Sequence, residues 1–360
     1  MILKRIQTIL EQTPDQKAKD IANHLRADKT EINRVLHDYP DIFVKDADAF
    51  TWSLAVLRID LGSNRWLTAQ SFEESLLAAG SPLDSTCIRV MFVVGERCSI
   101  LLEALARLLA ICNQLVDAGK SVSIDFRPSQ GTLTYFDRIG FINLLRDKVK
   151  ILPKRPRISA ASTYEGNNYG VVELKEIDAG SPDDNIPVLL GKGFVSCTGA
   201  KYDIAAHTVI SELYGNVKEH SGTTSAGFAG LQNYAGGKSR HIQTVISDGG
   251  RGIVGTLMPI LKRKYPEVAA KISNSSLDQR VALLQEVFSA GGLSRVNDPG
   301  RGLGLCGSRD YARKYNGVIS VRQETLELQI RHDGESVQFS HTLNLSRIAG
   351  THICFDFFLD

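Results

Sequence analysis

Glu212 and Asn216 lie four residues apart in a run, 202–219, whose apolar positions Ile204, Val209, Leu213 and Val217 recur at helical spacing. A helix presents the carboxylate and the amide on one face, where they can address a metal ion and a water together. Asp248 follows the β-prone run 242–246 and is trailed by Gly249, Gly250 and Gly252. An acidic side chain at a strand's end can accept from an exocyclic amine, and glycines let the backbone approach a flat ring. Gly300, Gly302 and Gly304 alternate with Arg301 and Leu303 before Leu305 starts a helical run carrying Tyr311 and Ala312. Glycines ahead of a helix leave N–H groups to cradle a phosphate. Gly350 and Thr351 open the last β-prone run. In this order the stretches describe a nucleotide pocket assembled from distant parts of one domain. Two commoner nucleotide signatures fail. Gln232 stands where a P-loop ending at Gly237, Lys238 and Ser239 needs its first glycine, and Leu305 breaks the G-x-G-x-x-G spacing.

With these four motifs in sequence, residues from about 195 to 360 resemble the GHKL, or Bergerat-fold, ATPases, which include gyrase, MutL, histidine kinases and anti-sigma-factor kinases. Their E-x-x-x-N helix matches Glu212 and Asn216, their D-x-G-x-G box matches Asp248, Gly250 and Gly252, and their G-x-G-L-G-L box matches 300–305. Their final G-T strand matches Gly350 and Thr351. The resemblance implies ATP and Mg²⁺ as cofactors. It implies that Asn216 ligates Mg²⁺, that Asp248 binds the adenine amine and that Gly250 and Gly252 shape the base pocket. It further implies that Gly300, Gly302, Leu303 and Gly304 form the phosphate loop and that Thr351 reaches adenine through water. Glu212 would orient or deprotonate the attacking water or hydroxyl. Histidine kinases commonly lack a carboxylate there, so Glu212 favours hydrolysis or transfer to a hydroxyl. His220, four residues after Asn216, resembles the anti-sigma-factor kinase branch. Three readings stay open: an ATP-hydrolysing regulatory switch, a Ser/Thr protein kinase of the anti-sigma type, and a nucleotide-gated binding module. Glu212 also reads as a surface carboxylate, His220 as a packing residue, and the glycine pairs as plain turns.

The elements that must position these residues suggest a multidomain α+β chain. Residues 1–57 read as three helices and a hairpin. Ile2, Ile6, Ile9 and Leu10 form the first apolar stripe, Pro14 suits the start of a second helix, and Asp28 caps a third. The β-prone runs at 42–44 and 50–52 complete what resembles a winged helix-turn-helix. Its candidate recognition helix offers Lys29, Asn33 and Arg34 to DNA. Residues 1–55 carry eight basic and nine acidic side chains, however, a net −1 where a duplex reader normally presents a basic face. A protein-interaction or dimerisation module is the competing reading. Residues 58–157 alternate strands (89–94, 121–126, 149–152) with helices (100–115, 135–145), which implies a parallel sheet. The passage from Val122 to Gly140 resembles a STAS domain, with Arg138 and Ile139 where many of that family carry a phosphorylatable serine. Residues 154–168 read as a linker, with the domain junction between 154 and 195. The third domain covers 158–360, and its segment 255–299 suits a mobile lid.

Composition is ordinary for a soluble globular protein, and the cysteines suit a reducing cytoplasm. The 360 residues are 43% hydrophobic and 23% charged, with net charge +2, so neither nucleic acid nor an anionic membrane is demanded as partner. The richest apolar stretch, 100–116, is interrupted by Glu103 and Arg107 and falls short of the roughly 20 residues of a membrane span. Cysteines at 87, 98, 112, 197, 306 and 354 have neither C-x-x-C spacing nor a histidine cluster beside them, and suit reduced, buried thiols. A separate protein partner and a homodimer remain open.

Overall fold

The computed structural model describes residues 2–359 apart from 64, 169, 179–180, 182, 221–225, 237–239, 291–316 and 334–335; within helices and strands, the side chains of 205, 212, 216–220, 290, 332 and 333 also lie outside the description. The chain is mixed α+β with several sheets.

The first unit comprises α1 (Ile2–Gln12), α2 (Ala18–Leu25), α3 (Lys29–Asp38) and a hairpin of β1 (Phe43–Lys45) and β2 (Trp52–Leu54). Ile6, Leu10, Ile21, Ile32, Phe43 and Trp52 form its core. Asp28 caps α3, accepting from the amides of Thr30 at 2.7 Å and Glu31 at 3.2 Å. The second helix begins at Ala18, not at Pro14. Asp15 takes a left-handed φ of 58°, and Gln16 exchanges backbone hydrogen bonds with Trp52, so this stretch pairs with the hairpin instead of winding.

The second unit runs through β3 (Val56–Leu61), β4 (Trp66–Leu67), α4 (Ala69–Ala79), β5 (Arg89–Val94), β6 (Ser99–Ile100), α5 (Leu102–Asp117), β7 (Ser121–Asp125), α6 (Gln130–Arg138), α7 (Phe141–Leu144), β8 (Lys150–Leu152) and α8 (Ala160–Tyr164). Strands β3, β5, β7 and β8 form a parallel sheet in that order. The expected single helix over 135–145 is two. Gly140 breaks it at φ +86°, where a Cβ would lie 3.1 Å from the Leu174 carbonyl oxygen. Residues 154–168 are not a free linker. Arg155 donates to the carbonyls of Ile142, Leu145, Arg146 and Val149 at 2.7–3.3 Å, tying the chain down, and α8 follows.

The third unit holds β9 (Val171–Ile177), α9 (Asn185–Thr198), α10 (Asp203–His220), β10 (Gly227–Tyr234), β11 (Arg240–Asp248), α11 (Gly252–Leu257), α12 (Leu261–Lys264), α13 (Pro266–Ser273), α14 (Gln279–Ala290), β12 (Gly317–Glu324), β13 (Leu326–Asp333), β14 (Ser336–Thr342) and β15 (Ile348–Leu359). Its seven strands form one antiparallel sheet, ordered β14-β13-β12-β15-β11-β10-β9. Helices α9 and α10 pack on one face, where α10 buries Ala206, Val209, Ile210 and Leu213. Ile204, placed inward by the sequence pattern, is 74% exposed. The part of 255–299 up to Ala290 is not a lid. Leu257, Leu261, Ile272, Leu284, Val287 and Phe288 are buried in the same core as the sheet. The opposite face receives α5, so Leu174, Phe228, Val245, Ile348 and Cys354 join the core of the second unit. The second and third units therefore share apolar packing.

Among the described residues no helix is long and apolar enough to cross a membrane, and no group of His, Cys, Asp and Glu is arranged to hold a metal. Cys98, Cys112 and Cys354 are buried unbridged thiols; Cys306 lies outside the described residues.

Candidate functional site

Alternation along the strands decides which polar groups meet. Ile242 and Ile246 on β11, Ile353 and Phe355 on β15, and Ile319 and Val321 on β12 all pack into the core beneath α9 and α10. Side chains repeat a face every second residue, so Asp248, Thr351 and Gln323 face the same way. Register puts them side by side across three adjacent strands, Asp248 opposite Thr351 and Thr351 opposite Gln323. The Gln323 amide donates to Thr351 Oγ1 at 3.0 Å and accepts from the backbone N–H of Val254 at 3.1 Å. Asp248 Oδ1 accepts from the Gly250 N–H at 2.6 Å. Burial pushes the Asp248 carboxyl up to about 6, against the pull of the Gly250 amide and of the Thr351 hydroxyl and N–H. The residue is nonetheless only half-buried by surface area. A carboxylate so placed is ionised at neutral pH, poorly solvated and still approachable, which makes it a strong acceptor for an incoming donor.

Two glycines are required here. Gly350 has φ +90°, and a Cβ on it would lie 2.0 Å from the Asp248 carbonyl oxygen. Gly252 has φ +70°, and its Cβ would press on Gln323 and on the Gly350 carbonyl at 3.1–3.2 Å. The backbone segments carrying Asp248, Gly252 and Thr351 thus approach one another as closely as glycine permits.

The structure brings together Asp248, Gly250, Gly252 and Thr351. Glu212 and Asn216 sit on α10, whose Val209 and Leu213 line a small cavity against Thr244 and Phe355. The side chains of Glu212, Asn216 and His220 lie outside the described residues, as do Gly300, Gly302, Leu303, Gly304 and Leu305 entirely. Lys29 and Arg34 are exposed on α3 with Asn33 half-buried between them, in the first unit and apart from this cluster.

Sequence reasoning missed the polar groups on the other face. Arg107 of α5 is 1% exposed and donates to Glu73 at 2.8 Å, Glu103 at 2.7 Å and Glu327 at 2.7 Å. Arg322 of β12, also fully buried, donates to Glu73 at 2.9 Å. Burial pushes Glu103 up despite the Arg107 charge, whereas Arg107 holds Glu327 down against the opposing effect of burial. Two arginines thus face three carboxylates, and Glu103 is the one its surroundings favour protonating. His352 lies on this face, next to Thr351 in sequence. Burial lowers its pKa to about 3, aided by the charges of Arg322 and Arg107. The i, i+4 spacing of Glu103 and Arg107 was the available signal. A cleft of about 880 Å³, open mouth included, lies between the second and third units and is lined in part by Gln114, Asp117, Phe228, Asp248, Gly249 and His352.

Comparison with protein-family models, with curated proteins and with solved structures finds no match to this chain.

Proposed function

We propose that this chain binds ATP with Mg²⁺ in a pocket of the Bergerat type within residues 158–360, and hydrolyses it to drive a conformational switch in a regulatory protein. The observation that carries the reading is the Asp248 cluster: a poorly solvated carboxylate beside Thr351, flanked by Gly350, where a Cβ cannot fit, and Gly252, whose positive φ favours glycine. That set of polar groups fits the edge of an adenine ring, whose exocyclic amine would donate to Asp248. Gly300, Gly302, Leu303 and Gly304 would meet the phosphates. Asn216 would hold Mg²⁺, which when bound neutralises developing phosphate charge. Glu212 would orient the attacking water. On this reading the first unit is a winged helix-turn-helix used for protein contacts, given its net charge of −1, and the second is a STAS-like adaptor.

Calorimetry with ATP and Mg²⁺ tests the reading. Wild type should bind, and Asp248→Asn should lose most of the affinity, because an amide presents its own donors to the adenine amine. Unchanged affinity in that variant would remove the adenine assignment. Glu212→Ala should keep binding and lose turnover by at least about 100-fold. Labelled phosphate appearing on a partner in excess of free phosphate would select the Ser/Thr kinase reading instead.

A further inference from the structure

At one step β15 is not held by its two neighbouring strands. β15 pairs with β12 through Thr351 opposite Gln323, then shifts register so that Glu324 stands opposite Ile348. On its other side the ladder with β11 ends at Asp248 opposite Thr351. Ala349 and Gly350 therefore form a bulge with no register partner in either neighbouring strand. Backbone groups at such a bulge need other partners. Those of Ala349 find them in the second unit and in His352. Gln114, half-buried near the C-terminal end of α5, accepts from the Ala349 N–H at 2.9 Å and donates to the Ala349 carbonyl at 2.9 Å. One side-chain amide thus replaces the missing strand. The His352 ring nitrogen Nε2 meets the same carbonyl at 3.0 Å.

The consequence follows along the backbone. The bulge holds Gly350 at φ +90°, a conformation that lets the chain pass beneath the Asp248 carbonyl oxygen. The next residue is Thr351, beside Asp248. Whatever fixes Ala349 also fixes how Thr351 meets Asp248. Because α5 packs on β11 and β15, movement of the second unit against the sheet must pull on this bulge.

We propose that Gln114 is a positioning residue for the adenine side of the nucleotide pocket, so that base recognition depends on the seating of the second unit against the sheet. This rests on the ATP-binding reading above. A partner that shifts α5 would alter ATP affinity without touching ATP.

The test uses the full chain in three forms: wild type, Gln114→Leu, which removes both hydrogen bonds at similar volume, and Gln114→Glu, which keeps the length but sets a carboxylate against the Ala349 carbonyl. ATP and GTP affinities are measured by calorimetry, and amide exchange is followed at Ala349, Gly350 and Thr351. Gln114→Leu should lose about tenfold in ATP affinity. Its preference for ATP over GTP should narrow, and its Ala349 amide should exchange faster. Gln114→Glu should fall between Gln114→Leu and wild type. A general structural defect would lower both nucleotides equally and leave their ratio unchanged, which would overturn the positioning role. So would unchanged ATP affinity and exchange in both variants while wild type binds ATP. If wild type binds neither nucleotide, the ATP reading fails first and the proposal with it.

Discussion

Thr351 and His352 are neighbours in β15 and face opposite sides of one sheet, and the two sides treat polar groups differently. Toward α10, Asp248, Thr351 and Gln323 form a short row at the strand ends, and Asp248 is half-exposed with its proton affinity raised by burial. Toward α5, Arg107, Arg322, Glu73 and Glu327 are buried with Glu103 half-buried beside them, and Arg107 to Glu327 and Arg322 to Glu73 pair across the two units. The first face keeps acceptor capacity at an approachable edge, as a binding site needs. The second uses ion pairs to fix how two units sit, where a purely apolar seam could slide. Buried ion pairs are poor sources of net stability, because desolvation offsets most of the attraction. Their effect here is on geometry: with Arg107 to Glu327 at 2.7 Å and Arg322 to Glu73 at 2.9 Å, few alternative dockings satisfy both.

The largest expected effect therefore lies on the α5 face. Arg107→Ala leaves the buried Glu327 and the half-buried Glu103 without their cation and should cost about 3–5 kcal/mol in urea unfolding of the full chain. Arg107→Met combined with Glu103→Gln and Glu327→Gln should recover part of that loss, because no unpaired charge remains at those positions. A triple variant as unstable as the single one would show that packing, not charge, holds the seam. Opposite behaviour is expected on the α10 face. Asp248→Asn should weaken ATP by about 100-fold. It should also raise the melting temperature at pH 7, since a poorly solvated carboxylate is removed. Lost stability together with lost binding would mean Asp248 is there for the fold.

A third expectation concerns pH and the same carboxylate. Adenine's amine needs the ionised form, so ATP affinity in wild type should hold above about pH 6 and fall about tenfold per unit below it. In Asp248→Asn the profile should be flat over that range. A wild-type profile flat down to pH 4 would remove Asp248 from the binding step.

The two faces were unequally legible in the sequence. The proximity of Asp248, Gly252 and Thr351 was legible as far as glycines beside strand ends mark close backbone approach, and the structure gives Gly252 and Gly350 positive φ. Gln323 could not, because its role comes from register across β12 and β15, which no local pattern encodes. Arg107 interrupts the apolar run 100–116 with no local sign of a partner beyond Glu103. Its partner Glu327 is 220 residues away, and only the packing of α5 on the sheet explains a charge at that position. The linker over 154–168 and the lid over 255–290 were not found, for a related reason. Polar residues and glycines suggested loops, but Arg155 is consumed by five backbone carbonyls, and Leu284, Val287 and Phe288 belong to the main core. Tertiary burial overrode local composition in both places.

The last expectation sets the faces directly against each other. Asp248 has its pKa raised from 3.8 to about 6 on folding, so the folded chain binds a proton that the unfolded chain has released between those values. Its contribution to stability is present below about pH 4 and is lost as pH rises through about 6. His352 has its pKa lowered from 6.5 to about 3, so the unfolded chain binds the proton first, and its contribution is lost as pH falls from about 6.5 toward 3. Between about pH 4 and 6 the two slopes oppose each other, each near 1.4 kcal/mol per pH unit for one proton. Relative to wild type, His352→Gln should make stability decline more steeply as pH rises through this window, and Asp248→Asn should make it climb more steeply. Urea midpoints at half-unit pH steps measure both. Parallel curves for all three proteins would mean that neither side chain is held toward neutrality, and the contrast between an open acceptor edge and a sealed ionic seam would lose its electrostatic basis.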